Sequence, residues 1–468
     1  MLGGGIAGLA TALVLGRRSH DVVLLERDPR APVFTDADEI FEGRDRPGIA
    51  QFRQPHNFLG LGRRLLRVHL PDVHRALLEA GAIEVEQFRF INDGARLPGD
   101  DDLATIACRR PVFDAMLGRA LDAEPTVERR HEARVGRLLT STGRAPRVLG
   151  IILDGGDEVR ADLIVDCLGR TSRVPAWLAA EGLAPPSECS SDCGLVYYSR
   201  HFRWRDGVEM PPYASLLGGP RGDLGYLAFA VFIGDNRTFC LCIMTAPGDQ
   251  ELRAVRRSDA FLRVAERLPG VAQWVDPACA QPITPVLPMG RVHNVLRRYV
   301  RDGQPVAPGV WPVGDALSHT NPTFAFGASL ALRHALALAD AVDSAADEPA
   351  LARLLDTAVG EDAARRYDAV SAEDRDRARL WAGEPLDVTD RTASLPLYLR
   401  SVVYRAAPAD PVLLRAVARR IDLLDAPDVL ARDEGLLRRA EEIFDAMRAA
   451  GEIRPGPGRD DLLSVIPR

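Results

Sequence analysis

Gly3-Gly4-Gly5-Ile6-Ala7-Gly8 leads into a helix-like run, Leu9 to Arg17, and then into the apolar run Val22-Val23-Leu24-Leu25, which ends on Glu26. This is the second half of a βαβ unit with a G-x-G-x-x-G turn. Gly3 permits the tight turn, Gly5 lets the backbone approach a pyrophosphate, and Gly8 lets the helix lie close to the strand. The exposed helix N-terminus favours an anion. An acid at the end of the next strand, about 20 residues on, is what a ribose 2′-hydroxyl requires, and Glu26 supplies it. Ala7 and Arg27 are counted with the same grip. Only Met1 and Leu2 precede Gly3, whereas a buried central strand takes about five or six residues. The sequence is therefore expected either to begin a few residues late or to form a short, weakly held first strand.

Working outward, Gly48 to Leu59 (GIAQFRQPHNFL) follows a charge-rich stretch and precedes a helix expected around Leu61 to Val68. Its Gln, Arg, Asn and His side chains can line a cofactor channel or simply cap a loop. Ile106 to Pro111 leads into a helix with Pro111 in its first turn. Arg109 and Arg110 just before it can clamp phosphate or lie on the surface. Leu163-Ile164-Val165 reads as a buried strand running into Leu168 to Arg173. Gly194 to about Thr245 has short apolar runs, Leu227 to Ile233 and Phe239 to Met244, broken by Gly and Pro, as in a sheet domain. Val310 to Val313 is a buried strand ending at Gly314-Asp315. After it, Asn321-Pro322 turns into an apolar helix from about Ala325 to Val342, with Gly327 in its first turn. Beyond Asp347 the periodicity is helical to about Arg448, and the tail Arg454 to Arg459 is expected to be flexible.

Bulk composition removes several classes of function. At 468 residues, two or three structural units are expected. With 46% apolar and 27% charged residues the chain is globular, and a net charge of −7 gives no footprint for nucleic acid or an anionic membrane. All 59 basic residues are arginine. Schiff-base chemistry, a P-loop lysine and a lysine that captures an oxidised halogen are therefore excluded. The seven cysteines lack C-x-x-C spacing and read as reduced thiols, with no metal site expected. Met1 to Gly16 has no basic region of a signal peptide, and no window approaches 18 apolar residues. A cytoplasmic protein without stable membrane insertion is expected.

Taken together, Gly3 to Gly8 with Glu26, Arg109-Arg110, Asp166 to Arg173, and Gly314-Asp315 with Asn321-Pro322 resemble the FAD-dependent monooxygenases of the para-hydroxybenzoate hydroxylase superfamily. The resemblance covers roughly residues 1 to 345. Within it the chain looks most like an actinobacterial branch of polyether epoxidases related to squalene epoxidase. Gly48, Gln51, Arg53 and His56 fall on that branch's Gly-x-x-Gln-x-Arg-x-x-His pattern, and Asp166, Gly169, Arg170 and Ser172 on its Asp-x-x-Gly-Arg-x-Ser pattern.

The fold so implied is α/β: a Rossmann-like, GR2-type FAD-binding domain interleaved with a mixed-sheet substrate domain, plus a C-terminal helical segment. Its expected division is 1–185 for the first part of the FAD domain, with a substrate-domain excursion near 76–103. The substrate domain would be 186–283, the second FAD part 284–345, and the helical region 346–468. The implied activity inserts one oxygen atom of O2 into an apolar secondary metabolite, by epoxidation or hydroxylation, through a flavin C4a-hydroperoxide. Gly3, Gly5, Ala7, Gly8, Glu26, Arg27, Gln51, Arg53, Arg109, Gly314, Asp315 and Gly327 would bind FAD, with Asp315 on a ribityl hydroxyl. Pro322 and Gly327 would border the isoalloxazine, and the helix dipole would stabilise charge on the reduced ring.

One departure concerns electron supply. Leu168 stands where many hydroxylases carry an acid tied to pyridine-nucleotide contact, so NAD(P)H acts directly or through a separate flavin reductase. His319 is either an acid–base group or a loop hydrogen-bonder, and Phe324 with Phe326 is either pocket wall or plain packing. A reductase of the geranylgeranyl-reductase type and a non-catalytic flavin-binding partner protein are the alternative functions.

Overall fold

The computed structural model describes residues 1–91, 96–143, 146–453 and 456–467. The glycine turn feeds the helix Ile6–Arg17, which is buried from Gly8 through Gly16 and packs against the helices Arg110–Asp122 and Phe326–Ser344. Its Ala and Gly positions allow that enclosure on several sides, where a surface helix would show one apolar stripe.

A parallel sheet runs beneath this helix. Val22–Leu25 pairs with Val127–Arg130, and Ile164–Asp166 pairs with Val310–Pro312. Met1 and Leu2 fill the gap between the two pairs. The Leu2 N–H donates to the Val165 carbonyl and the Cys167 N–H to the Leu2 carbonyl, each at 2.9 Å. On the other side the Gly3 N–H donates to the Leu25 carbonyl at 2.9 Å and the Leu25 N–H to the Met1 carbonyl at 3.0 Å. The short first strand thus satisfies both neighbours through Leu2, which is 1% exposed.

Among the described residues, a six-stranded antiparallel sheet forms the second layer. Its path is Gly218–Asp223, Leu227–Ile233, Thr238–Thr245, Val196–Trp204 and Ala280–Pro282, and Leu287–Met289 also pairs with Val196–Trp204. The sheet therefore continues past residue 283. The apolar alternation of Leu227–Ile233 faces Phe202, Phe239, Phe261 and Trp274 in one core. Ile83–Glu86 and Ala104–Ala107 form an antiparallel pair that sends Val85 and Ala107 into that same core. Residues 92–95, within the stretch expected as an excursion, lie outside the described residues.

The C-terminal region builds its own cluster from Tyr398, Val402, Leu413, Leu437 and Phe444, joined by Ile91 and Leu103. The stretch expected to be flexible, Arg454 to Arg459, is followed by structure that the sequence reading does not include. Arg454 and Pro455 lie outside the described residues, but from Arg459 the chain forms a helix to Ser464, and Leu462 is fully buried in the core of the large sheet. One apolar anchor in a polar, glycine-rich context is too little periodicity to read locally. Among the described residues no helix is long and apolar enough to cross a membrane.

Candidate functional site

Both ends of the parallel sheet's connections open on one cavity of about 400 Å³. At one end stands the N-terminus of Ile6–Arg17, whose N-cap Gly5 provides no side-chain hydrogen bond. At the other stands the N-terminus of Phe326–Ser344, whose N-cap Ala325 likewise provides none. Each terminus leaves backbone N–H groups and the positive end of a helix dipole toward the cavity.

The turn at the first end depends on its glycines. Gly3 has φ +95°, and a Cβ on Gly8 would lie 1.8 Å from the Gly3 carbonyl oxygen. Gly8 accordingly sits beneath the turn, while Gly3, Gly5 and Ala7 line the cavity. Glu26 lies alongside, 4% exposed. Its Oε2 accepts from the Gly4 N–H at 2.8 Å and from the Arg46 guanidinium, and its Oε1 accepts from the Asp28 N–H at 2.9 Å. Arg46 also donates to the Gly4 carbonyl at 2.8 Å. A carboxylate and a guanidinium are thereby held beside an uncapped helix, complementary to a ribose next to a pyrophosphate.

At the second end Asp315 follows Gly314, and its Oδ2 lies 3.0 Å from His319 Nδ1 and 3.5 Å from Gln51 Nε2. Burial opposes ionisation of Asp315, but His319, Arg110 and Arg170 outweigh it and hold the carboxyl below its ordinary range. His56 donates from Nδ1 to the Gln54 carbonyl at 2.9 Å, and burial next to Arg110 drops its pKa to about 3, so its ring is neutral. Asp166 supports the wall from below: its oxygens accept from the Leu168 N–H at 3.0 Å and the Ser172 hydroxyl at 2.5 Å. Burial raises its pKa to about 6.

Gly3, Gly5, Ala7, Glu26, Arg27, Gln51, Asp315, His319, Pro322 and Gly327 thus meet in one cavity. Besides Gly8, four other expected residues do not line it. Arg109 is turned away, donating to Asp235 and, at 2.7 Å, to Asp38. Arg53 donates to the carbonyls of Arg44 at 3.1 Å and Glu42 at 3.3 Å. Gly314 packs under the turn, where a Cβ would lie 2.9 Å from that of Ala7. Phe324 lines a separate small hollow beside Arg366 and Glu373 together with Phe326, whose ring centroid lies 5.4 Å away, and Phe326 alone of the two also reaches the cavity.

Arg46, Arg110 and Arg170 also line the cavity; Arg110 and Arg170 stand in the motifs noted above, whereas Arg46 carries no sequence signal of its own. Arg110 is 7% exposed, and its Nε has no hydrogen-bond partner among the described residues. The pair Arg109-Arg110 carried the signal, but the choice between them is made by Asp235, far along the chain.

No family model matches the chain. Protein Rv3254 of Mycobacterium tuberculosis (strain ATCC 25618 / H37Rv) is 27% identical over 360 residues, 70% of this chain and 69% of that protein. PqsL of Pseudomonas aeruginosa, solved in complex with 2-aminobenzoylacetate, is similar with a TM-score of 0.57 at 18% identity, over 82% of this chain and 97% of its own. The flavin-dependent brominase Bmp2 gives 0.57 at 15% identity, over 96% and 98%. The tetrameric form of 2-methyl-3-hydroxypyridine-5-carboxylic acid oxygenase gives 0.52 at 15%, over 87% and 96%. The chain shares the fold of these flavin-dependent oxygenases and brominase.

Proposed function

We propose that this chain is an FAD-dependent monooxygenase that transfers one atom of O2 to an apolar small molecule, by epoxidation or hydroxylation. The observation that carries the reading is the pairing of two uncapped helix N-termini on one cavity, with Glu26 beside the first and Asp315 beside the second. That spacing of anion site, ribose acceptor and second acceptor suits FAD laid from adenosine to flavin.

In this reading Gly3, Gly5, Ala7, Glu26 and Arg27 hold the adenosine and pyrophosphate, with Arg46 and Arg110 adding charge. Asp315 accepts from the ribityl chain, and Gln51, His56, Pro322 and Gly327 surround the ring. When bound, FAD supplies the redox chemistry with oxygen. The chain orients the ring, excludes water and presents the N-terminus of Phe326–Ser344 to negative charge developing there. Residues 1–185 and the stretch from about 290 to 345 serve the cofactor, the large sheet through Met289 with the excursion the substrate, and 346–468 braces both. The epoxidase branch is supported by Gln51 and His56 in the cavity, while Arg53 stands outside it. Electrons come from NAD(P)H directly or, consistent with Leu168, through a separate flavin reductase, in the cytoplasm. The brominase chemistry of Bmp2 does not carry over, since the chain has no lysine to capture oxidised halide.

The test is direct. The purified protein should be yellow with FAD. Chemically reduced protein given ¹⁸O2 and a panel of apolar alkenes and arenes should yield a product carrying one ¹⁸O atom. A hydrogenated product formed without oxygen would assign the geranylgeranyl-reductase-type activity instead, and a colourless protein that ignores added FAD refutes the reading.

A further inference from the structure

The helix Glu361–Trp381 carries a carboxylate that the proposed reaction does not use. Asp374 is 1% exposed, and both its oxygens are occupied. Oδ1 accepts from Nδ2 of Asn321 at 2.6 Å and from Nη1 of Arg377 at 2.7 Å, and Oδ2 accepts from Nδ2 of Asn294 at 2.8 Å. Asn321 is held from every other side as well. Its N–H donates to Oδ1 of Asn294 at 2.7 Å, and its Oδ1 accepts from the Thr323 N–H at 3.0 Å, the Thr323 hydroxyl at 2.8 Å and the Tyr197 hydroxyl. These partners come from four separate parts of the chain and meet on the turn that forms one wall of the cavity.

We infer that Asp374 is a positioning residue, through which the C-terminal region sets the place of the Asn321–Thr323 turn against the flavin; the functional part of this inference rests on the reading above. The chemistry is specific to a carboxylate. Three donors converge on it, so an amide at this position would turn its own N–H2 group toward one of them. Arg377 compensates the buried charge and donates its other arm to the Cys193 carbonyl, tying the same helix to the strand layer that carries Tyr197. Every group of this network apart from Arg377 Nε is paired, which restricts its arrangement, and that rigidity passes to Pro322 at the cavity wall.

Asp376 gives a matched control. It lies on the same helix, is 7% exposed and accepts from the Ser394 hydroxyl at 2.7 Å, with no bond to the cavity wall. Full-length wild type, Asp374→Asn and Asp376→Asn should be compared by amide hydrogen exchange over residues 318–326 and by visible circular dichroism of bound FAD. In Asp374→Asn exchange over that stretch should quicken by roughly tenfold, and the flavin dichroism should change in sign or intensity. Asp376→Asn should leave both as in wild type, whatever it does to melting temperature. Unchanged exchange in Asp374→Asn overturns the inference, and so does faster exchange with an unaltered flavin signal. Wild type that takes up no FAD defeats the functional reading, and the clamp then stands or falls on exchange alone.

Discussion

Nδ1 of His319 lies 3.0 Å from Oδ2 of Asp315, and Nε2 of the same ring is buried at the cavity with no partner among the described residues. The bond fixes the imidazole's tautomer toward the carboxylate and leaves its other nitrogen for a ligand. Asp315 owes its lowered pKa, against the cost of burial, first to this histidine. Its ionised form is therefore present at neutral pH and lost only as pH falls through that depressed value. His319→Leu should raise the pKa of Asp315, although Arg110 and Arg170 still act on it, so FAD release on acidification begins at a higher pH than in wild type. Flavin fluorescence against pH measures this.

Arg109 and Arg110 should fail in different ways. Removing the Arg109 side chain leaves Asp235, fully buried, without its guanidinium. Arg109→Ala should therefore cost about 3–5 kcal/mol of stability, read by urea denaturation. Arg110→Ala removes a charge at the cavity whose Nε lies 3.7 Å from the buried Asp114. Arg44 and Arg46 also act on Asp114, so the stability loss should be smaller than for Arg109→Ala while FAD binding weakens by roughly ten- to a hundredfold, read by titration of the apoprotein.

Asp422 predicts an alkaline weakness. Burial raises its pKa to about 7, against the hydrogen bond from the Gly60 N–H at 2.9 Å and the nearby charge of Arg63. A folded pKa above the unfolded one contributes stability that is complete below the unfolded value and lost as pH rises through about 7. Asp422→Asn keeps a neutral donor and acceptor without titrating. It should match wild type at pH 4 and exceed it by a few kcal/mol at pH 8, measured by denaturation at the two pH values.

Ala325 adopts a left-handed backbone (φ +56°) at the head of the cavity helix. That conformation costs an L-residue roughly 1–2 kcal/mol, and glycine's extra unfolded-state freedom returns about 0.5–1 kcal/mol of it. Ala325→Gly should stabilise the protein by about 0.5–1 kcal/mol, seen as a higher urea midpoint with an unchanged slope.

Legibility in the sequence followed distance along the chain. Gly3 to Gly8 with Glu26, and Gly314 with Asp315, are compact motifs whose geometry is decided within one turn and one strand, and both reach the same cavity. The large sheet was readable because Leu227 to Ile233 is continuous and apolar. Arg109 was chosen over Arg110 because nothing nearby shows Asp235. Phe324 and Phe326 do lie together, but nothing in the short stretch between them shows that only Phe326 reaches the cavity. Asp374 sits in a helix whose polar composition reads as solvent-facing, and only its partners Asn294 and Asn321 reveal that it points inward.

Leu462 closes the core of the large sheet, and the Tyr226 hydroxyl binds the Pro457 carbonyl nearby at 2.8 Å. During synthesis, the strands of that sheet leave the ribosome well before residue 462 does. At about 5–20 residues per second the interval is on the order of ten seconds or more. Through that time the half-built β layer has an open seam of aromatic side chains, so maturation of this half is a late event, and chaperone capture should concentrate on nascent chains stalled between these two points.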